Sequence, residues 1–157
     1  MYIAKVKHDG NLYLGIHSQE TWLPLSAVLP AAMAQLSDDI DTAAGNARAA
    51  FVSPGSYIDQ EYLLAKQEAD AWLAGNKDEL AIPSSVSDHM AMFGVGAVVA
   101  AKEIIATAET WEKALRNIRQ LRLGGKSAVR KAETIKEAEE AAKEAIEQLN
   151  RYRPAYN

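Results

Sequence analysis

Residues 97–125 read AVVAAKEIIATAETWEKALRNIRQLRLGG, and the spacing of their apolar side chains predicts the fold. Apolar residues recur at alternating intervals of four and three, a heptad-like pattern that places one apolar stripe along a helix. A stripe of this length must pack on another helix, because burial of apolar surface is the main source of helix stability. Its members are Ala97, Ala101, Ile104, Ala108, Trp111, Leu115 and Ile118.

The glycine pair Gly124-Gly125 follows this stripe and predicts the end of the helix. A last helix, from about Lys126 to Tyr152, repeats the pattern, and because the connection is short we expect the two helices to be antiparallel neighbours. We call the two stripes together the helix seam. Its members on the last helix are Ile135, Ala142, Ile146 and Leu149.

The N-terminal residues 1–17 predict a β-hairpin. Apolar and polar residues alternate on both sides of Asp9-Gly10, a dipeptide typical of two-residue turns. Because an isolated hairpin is marginal in water, we expect it to lie on a helix or on a partner. Beyond it, Pro30 predicts a short helix through Gln35, and Ser37 predicts the start of a second one through about Ala50.

A break at residues 53–56, SPGS, predicts the boundary between two regions. We predict that residues 1–56 form an N-terminal β-hairpin and short-helix docking region and that residues 57–157 form a helical bundle or hairpin module. The predicted fold class is therefore mainly α, an antiparallel helical hairpin or bundle with a small N-terminal β-hairpin region.

Two further helices are predicted before the long stripe. Residues 58–74 carry apolar side chains at helical spacing and end at Gly75. The next helix begins after Pro83 and meets Gly94 and Gly96, where we expect a kink or a short break.

Composition excludes several classes of site. The chain of 157 residues contains no cysteine, so it has neither disulfides nor thiolate metal sites. A net charge of −4 gives no overall reason to expect nucleic acid or an anionic membrane as a partner. No signal sequence is visible, and no apolar run approaches the roughly 20 residues that span a bilayer, so we expect synthesis in the cytoplasm and no membrane partner.

Charge is unevenly distributed along the chain. Residues 1–101 contain 5 basic and 12 acidic side chains, whereas residues 102–157 contain 12 and 9. Between residues 113 and 131 several basic side chains follow one another without an intervening acid. They are favourable for ion pairs within or between subunits, for an acidic protein partner or for a phosphate backbone, and we expect ion pairs because no aromatic side chain is available for base stacking. This basic face comprises Lys113, Arg116, Arg119, Arg122, Lys126 and Arg130, with Lys131 beyond it.

No catalytic, cofactor-binding or metal-binding residue is predicted. His8 and His17 suggest a metal pair but lack a third ligand at a suitable spacing, and His89 has no nucleophile nearby. Residues 124–127, GGKS, lack the earlier glycine that a phosphate-binding loop needs, since Gln120 occupies that position. We therefore expect a protein that is not an enzyme.

The helical part of the chain, roughly residues 57–150, resembles a module of small tailed-bacteriophage proteins that are associated with the tail, the baseplate or the tail fibres. The first 56 residues lack this resemblance. The resemblance is carried by the order of five segments: YLLAKQEADAWLAG at 62–75, IPSSV at 82–86, AKEIIATAETW at 101–111, IRQLRL at 118–123 and KSAVRKA at 126–132.

This resemblance implies a non-enzymatic structural protein of the virion, tail- or fibre-associated, made in the host cytoplasm. It implies a homo-oligomer that docks on a larger phage structural protein, with the N-terminal region making the specific contact. One alternative is a tail-fibre assembly chaperone that is not retained in the virion. Another, which we do not favour, is a nucleic-acid-binding accessory protein that uses the basic segment 113–131.

Overall fold

The computed structural model describes residues 1–19, 22–51 and 58–154, and within these ranges it contains two strands and five α-helices. Helices account for 73% of the structure, which confirms the predicted fold class of a mainly α protein with an N-terminal hairpin. The predicted break at residues 53–56 lies outside the described residues. The elements are β1 (Tyr2–His8), β2 (Asn11–His17), α1 (Leu25–Ala49), α2 (Ile58–Ala74), a 3₁₀ turn (Glu79–Ala81), α3 (Ser84–Phe93), α4 (Ala97–Lys131) and α5 (Ile135–Arg151).

The chain divides into two compact units. The first combines residues 1–50 with the chain from Asn117 onward, and the second comprises Phe51–Arg116, so α4 contributes to both. The predicted division near residue 56 placed the C-terminal helix with residues 57–116. The structure groups it with the N-terminal region instead, because α5 packs along α1.

The β-hairpin at the N-terminus of the first unit is confirmed. Asp9 and Gly10 both have positive φ, 47° and 77°, as a type I′ turn requires, and His8 pairs with Asn11 beside the turn. Ile3 and Val6 are both fully buried, although strict alternation would place them on opposite faces. The side chains of β1 therefore switch faces between these two residues. Gly15 lies opposite this switch on β2 and has a φ of 63°.

A single helix, α1, replaces the two short helices predicted from Pro30 and Ser37, so that prediction was wrong. Pro30 lies inside the helix, near its start, and Ser37 does not interrupt it. The helix continues because one buried face runs through both predicted segments and outweighs the local cost of these residues. This face comprises Val28, Ala32, Leu36, Ile40, Ala43, Ala44 and Ala47.

The predicted turn at Gly124-Gly125 was also wrong, since α4 continues through both glycines to Lys131. The last helix begins at Ile135, where Thr134 caps it by accepting a hydrogen bond from the Glu137 backbone N–H at 3.2 Å. The Glu137 carboxylate in turn accepts from the Glu133 backbone N–H at 2.9 Å. These two hydrogen bonds resemble a capping box, except that the Glu137 carboxylate bonds the residue before the cap, and they mark the helix start that the glycine pair was expected to mark.

The last two helices are antiparallel neighbours within the first unit, as predicted, with the turn moved to residues 132–134. Asn117 donates a hydrogen bond to the Tyr152 hydroxyl at 2.7 Å. Gly125 lies against Ala145 of α5 and Ile40 of α1. As the position on α4 rises from 117 to 125, its neighbour falls from Tyr152, just after α5, to Ala145 within α5, which defines the antiparallel direction.

The second unit confirms α2 at Ile58–Ala74 and the break before α4. Gly94 ends α3 in the left-handed conformation with a φ of 67°, which glycine adopts at little cost. Trp72 anchors this unit, and its indole N–H donates to the Asp78 carbonyl at 3.1 Å. The buried core consists of Ala69, Trp72, Val86, Ala100 and Ala101.

Candidate interaction surfaces

The outer face of the β-hairpin is the most exposed apolar surface in the first unit. Ile3 and Val6 turn inward, where they pack with Leu23, Val28 and Ala32. Their neighbours on β1 and the cross-strand partners of those neighbours therefore lie on the other face. We define this outer face by Tyr2, Lys5, Lys7, Leu12 and Leu14, of which Tyr2 is 69% exposed, Leu12 54% and Leu14 65%.

Aromatic contacts order the surroundings of this face. The Tyr2 ring meets the His17 ring edge-on at 4.8 Å, and Tyr13 meets Trp22 in the same manner at 4.8 Å. Trp22 is nevertheless well exposed. The hairpin therefore presents apolar and aromatic groups, which are typical of protein-binding surfaces, together with two lysines.

The predicted helix seam is divided between the two units. Ala97, Ala101 and Ile104 pack in the core of the second unit with α2 and α3. Ile118, Ala142 and Leu149 are buried in the first unit. Every seam residue is at least partly buried, including Ala108, Trp111, Leu115 and Ile146, and Ile135 packs against the hairpin core.

α1 is the seam partner that sequence reasoning missed. It packs along α5, and its Ile40 side chain lies beside Gly125 of α4. Its division into two predicted short helices hid one apolar face of seven side chains that runs from Val28 to Ala47. The signal that would have found it is the regular recurrence of Val28, Ala32, Leu36 and Ile40 every four residues.

The basic face is partly neutralised within the chain. Arg122 Nη1 lies 2.9 Å from Asp41 Oδ1, and Lys126 Nζ lies 2.5 Å from Asp41 Oδ2. Arg116 lies 3.7 Å from Glu112 on its own helix. In the part of the chain that the structure describes, Lys113, Arg119 and Arg130 are exposed and form no ion pair. The basic residues therefore do not act as one continuous patch.

Asp41 joins α1 to the last part of α4. Hydrogen bonds from Lys126 and then from Arg122 hold the pKa of the Asp41 carboxyl below its ordinary value, although partial burial acts in the opposite direction. Since the folded pKa is lowered, the pairs stabilise the fold above the ordinary carboxyl pKa, and this contribution is lost as the pH falls through the lowered value.

We expect Asp41→Asn to lower the free energy of unfolding by about 1 kcal/mol at about pH 7, because it removes two partly exposed ion pairs. Wild type and variant should converge at an acidic pH below the lowered pKa of Asp41, where the carboxylate loses its charge. Urea unfolding at both pH values measures this difference. Asp39→Asn, on the same helix and exposed, serves as the control and should have little effect at either pH. A cost of Asp41→Asn that stays constant with pH would contradict the assignment.

The histidines are not brought together. His8 lies beside the turn, 3.3 Å from Asp9, whereas His17 pairs with Tyr2 at the opposite end of the hairpin. His89 Nε2 lies 2.8 Å from Glu103 and its ring contacts Phe93. Across residues 1–19, 22–51 and 58–154 no cluster of three or more histidine and carboxylate side chains is placed to hold a metal ion.

A small recess lies between α2 and α4 in the second unit. Its volume is about 210 Å³, and the Lys66 ammonium closes one side by pairing with Glu112 at 2.6 Å. This hydrogen bond raises the pKa of Lys66 and lowers the pKa of Glu112, so both groups are held in their charged forms and neither is tuned for proton transfer near neutral pH. The lining is otherwise largely apolar and comprises Tyr62, Leu63, Ala108, Trp111 and Leu115.

The comparisons with known proteins add no relative. The chain matches no protein-family model, no curated protein and no solved structure. The resemblance to the phage module therefore rests on the five quoted segments alone, and the function has to be argued from the surfaces.

A second exposed apolar surface lies where α3 meets α4. Met92, Phe93, Val98 and Val99 are exposed there, and no charged residue occurs between His89 and Lys102. Among the described residues no single helix is both long and apolar enough to cross a membrane. Only α3 and α4 taken together, bent by 101° at their junction, have that length and composition.

Proposed function

We propose that this chain is a non-enzymatic structural protein of a tailed-bacteriophage virion, which docks on a larger tail or fibre protein through the outer face of its β-hairpin. The observation that supports docking is the exposure of Tyr2, Leu12 and Leu14 on one face of a hairpin whose opposite face is built into the core. Because the core already fixes the hairpin that carries them, binding has to order only these exposed side chains, which favours affinity.

The helices act as the scaffold in this proposal. The helix seam packs within the two units, where each of its residues is at least partly buried, so we do not assign docking to it. Ile135 of α5 packs against the same core as Ile3 and Val6. The hairpin is thereby fixed to α1 and α5, and the specific contact is assigned to its outer face.

The tail or fibre location is supported by the resemblance of the helical segments, and the composition of particles tests it. Mass spectrometry of purified particles of the virus that encodes this chain should detect it at a fixed copy number relative to tail proteins. Its presence in infected cells together with its absence from particles would contradict the proposal and favour the assembly chaperone.

The docking face is tested separately with Tyr2→Ser combined with Lys5→Glu. Both side chains are exposed, so the fold should be retained while binding to the larger tail or fibre protein weakens at least about tenfold, as the loss of an apolar anchor and a charge implies. The matched control combines Leu80→Ser with Lys102→Glu, two exposed positions of the second unit. Equal losses in both variants, measured by calorimetric titration, would reject the hairpin as the docking surface.

A further inference from the structure

The outer edge of β1 is closed by a side chain of α1. Gln35 Nε2 donates a hydrogen bond to the Tyr2 carbonyl at 3.0 Å, and the Ala4 N–H donates to Gln35 Oε1 at 2.7 Å. The side-chain amide thus provides the donor and the acceptor that a neighbouring strand would provide. Lys5 and Lys7 on the same strand add charges that discourage strand addition.

Among the residues that the structure describes, none covers the outer edge of β2 in this way. His8 and Asn11 flank a two-residue turn and form a hydrogen-bonded pair, so the backbone N–H and C=O groups of Leu12 and Leu14 are directed away from β1. Within the described ranges, no group outside β1 forms a hydrogen bond with the backbone of residues 11–14.

β2 also lacks the usual protection of a free edge. Natural edge strands carry Lys, other charges or Pro that prevent pairing with another chain. Residues 11–17, NLYLGIH, contain no Asp, Glu, Lys, Arg or Pro. Of the two edges of this sheet, one is closed and charged, and the other is open and uncharged.

We propose that β2 pairs antiparallel with β2 of a second copy of this chain, giving a four-stranded sheet in the order β1-β2-β2-β1. A twofold axis at Tyr13 places Leu12 of each copy opposite Leu14 of the other, with both backbones hydrogen-bonded across the axis. No like charges face each other in this register, whereas pairing through β1 would bring together four lysines. The two outer faces then form one continuous surface.

This self-association goes beyond the proposed docking, and it is measured on the purified chain alone. Light scattering coupled to size-exclusion chromatography should give twice the chain mass of 17.1 kDa. Hydrogen exchange should show that the Leu12 and Leu14 amides are more protected at high than at low protein concentration. These two readouts separate a failure of dimerisation from a failure of docking in the virion.

A charge-swap pair of variants tests the register. Leu12→Lys combined with Leu14→Lys places like charges opposite each other and should raise the dimer dissociation constant by about tenfold or more. Leu12→Glu combined with Leu14→Lys places opposite charges across the axis and should retain the dimer, with added sensitivity to salt. Circular dichroism controls for folding, which should be unchanged because both positions are exposed.

The outcomes are decisive in each direction. A wild-type chain that is monomeric at all concentrations overturns the proposal, and so does a dimer that persists with both lysines. Loss of the dimer in both variants would reject the register centred on Tyr13 and with it the pairing as proposed.

Discussion

Gly125→Ala is expected to lower the free energy of unfolding by about 1–3 kcal/mol, although alanine is the better helix former. A Cβ at position 125 would collide with the Cβ of Ala145 and lie 3.4 Å from Ile40 Cδ1. The methyl group of Ala145 cannot move away by changing rotamer, because it is attached directly to the backbone of α5. The helices must separate instead, which loses close packing along the contact between α4 and α5.

The adjacent residue provides the matched control. A Cβ at Gly124 would meet nothing within 4 Å, so Gly124→Ala should raise the free energy of unfolding by about 0.5–1 kcal/mol through helix propensity alone. Urea unfolding of both variants gives the two signs. The two variants also test whether α4 is continuous. If Gly124 and Gly125 instead formed a turn with positive φ, alanine would be strained at both positions and both substitutions would be destabilising. Equal signs for the two variants would therefore contradict the structure.

Local signals predicted the type of each element well and its continuity less well. The Asp9-Gly10 turn, α2 and the break at Gly94 followed from residues acting on their own backbone. Pro30 and Gly125 were misread for the same reason, because local rules treat both as breakers. Packing of α1 and α4 on other helices outweighs these preferences, and such contacts are not visible in a sequence window.

The candidate surface was predicted in outline only. The N-terminal region was expected to make the specific contact, but alternation along the strands does not give the two faces of the hairpin, because these switch beside Gly15. The closure of the β1 edge was not predictable, since Gln35 lies 31 residues from Ala4 in sequence and has no distinctive neighbours. The ion pairs of Asp41 span more than 80 residues for the same reason, so only the tertiary fold reveals that the basic face is partly neutralised.

Ile118→Asp is expected to unfold the first unit under conditions in which wild type is folded. Ile118 is fully buried in this unit, and Arg122, one helical turn further along α4, is already engaged by Asp41. An unpaired buried charge together with the lost apolar burial costs about 4 kcal/mol or more, close to the whole stability of a small domain. Circular dichroism and urea titration should show lost cooperativity.

Two variants on the same helix separate burial from charge. Gln120→Asp adds the same charge at an exposed position and should change the free energy of unfolding by less than about 0.5 kcal/mol. Ile104→Asp alters a partly buried seam residue and should cost an intermediate amount, about 1–3 kcal/mol, because the carboxylate retains some contact with water. Heptad spacing assigns Ile104 and Ile118 equally to the seam, whereas in the structure Ile118 is more deeply buried than Ile104. A urea midpoint for Ile118→Asp equal to that of wild type would contradict the burial of Ile118. It would also contradict the packing of α4 in the first unit, on which the helical scaffold of the hairpin depends.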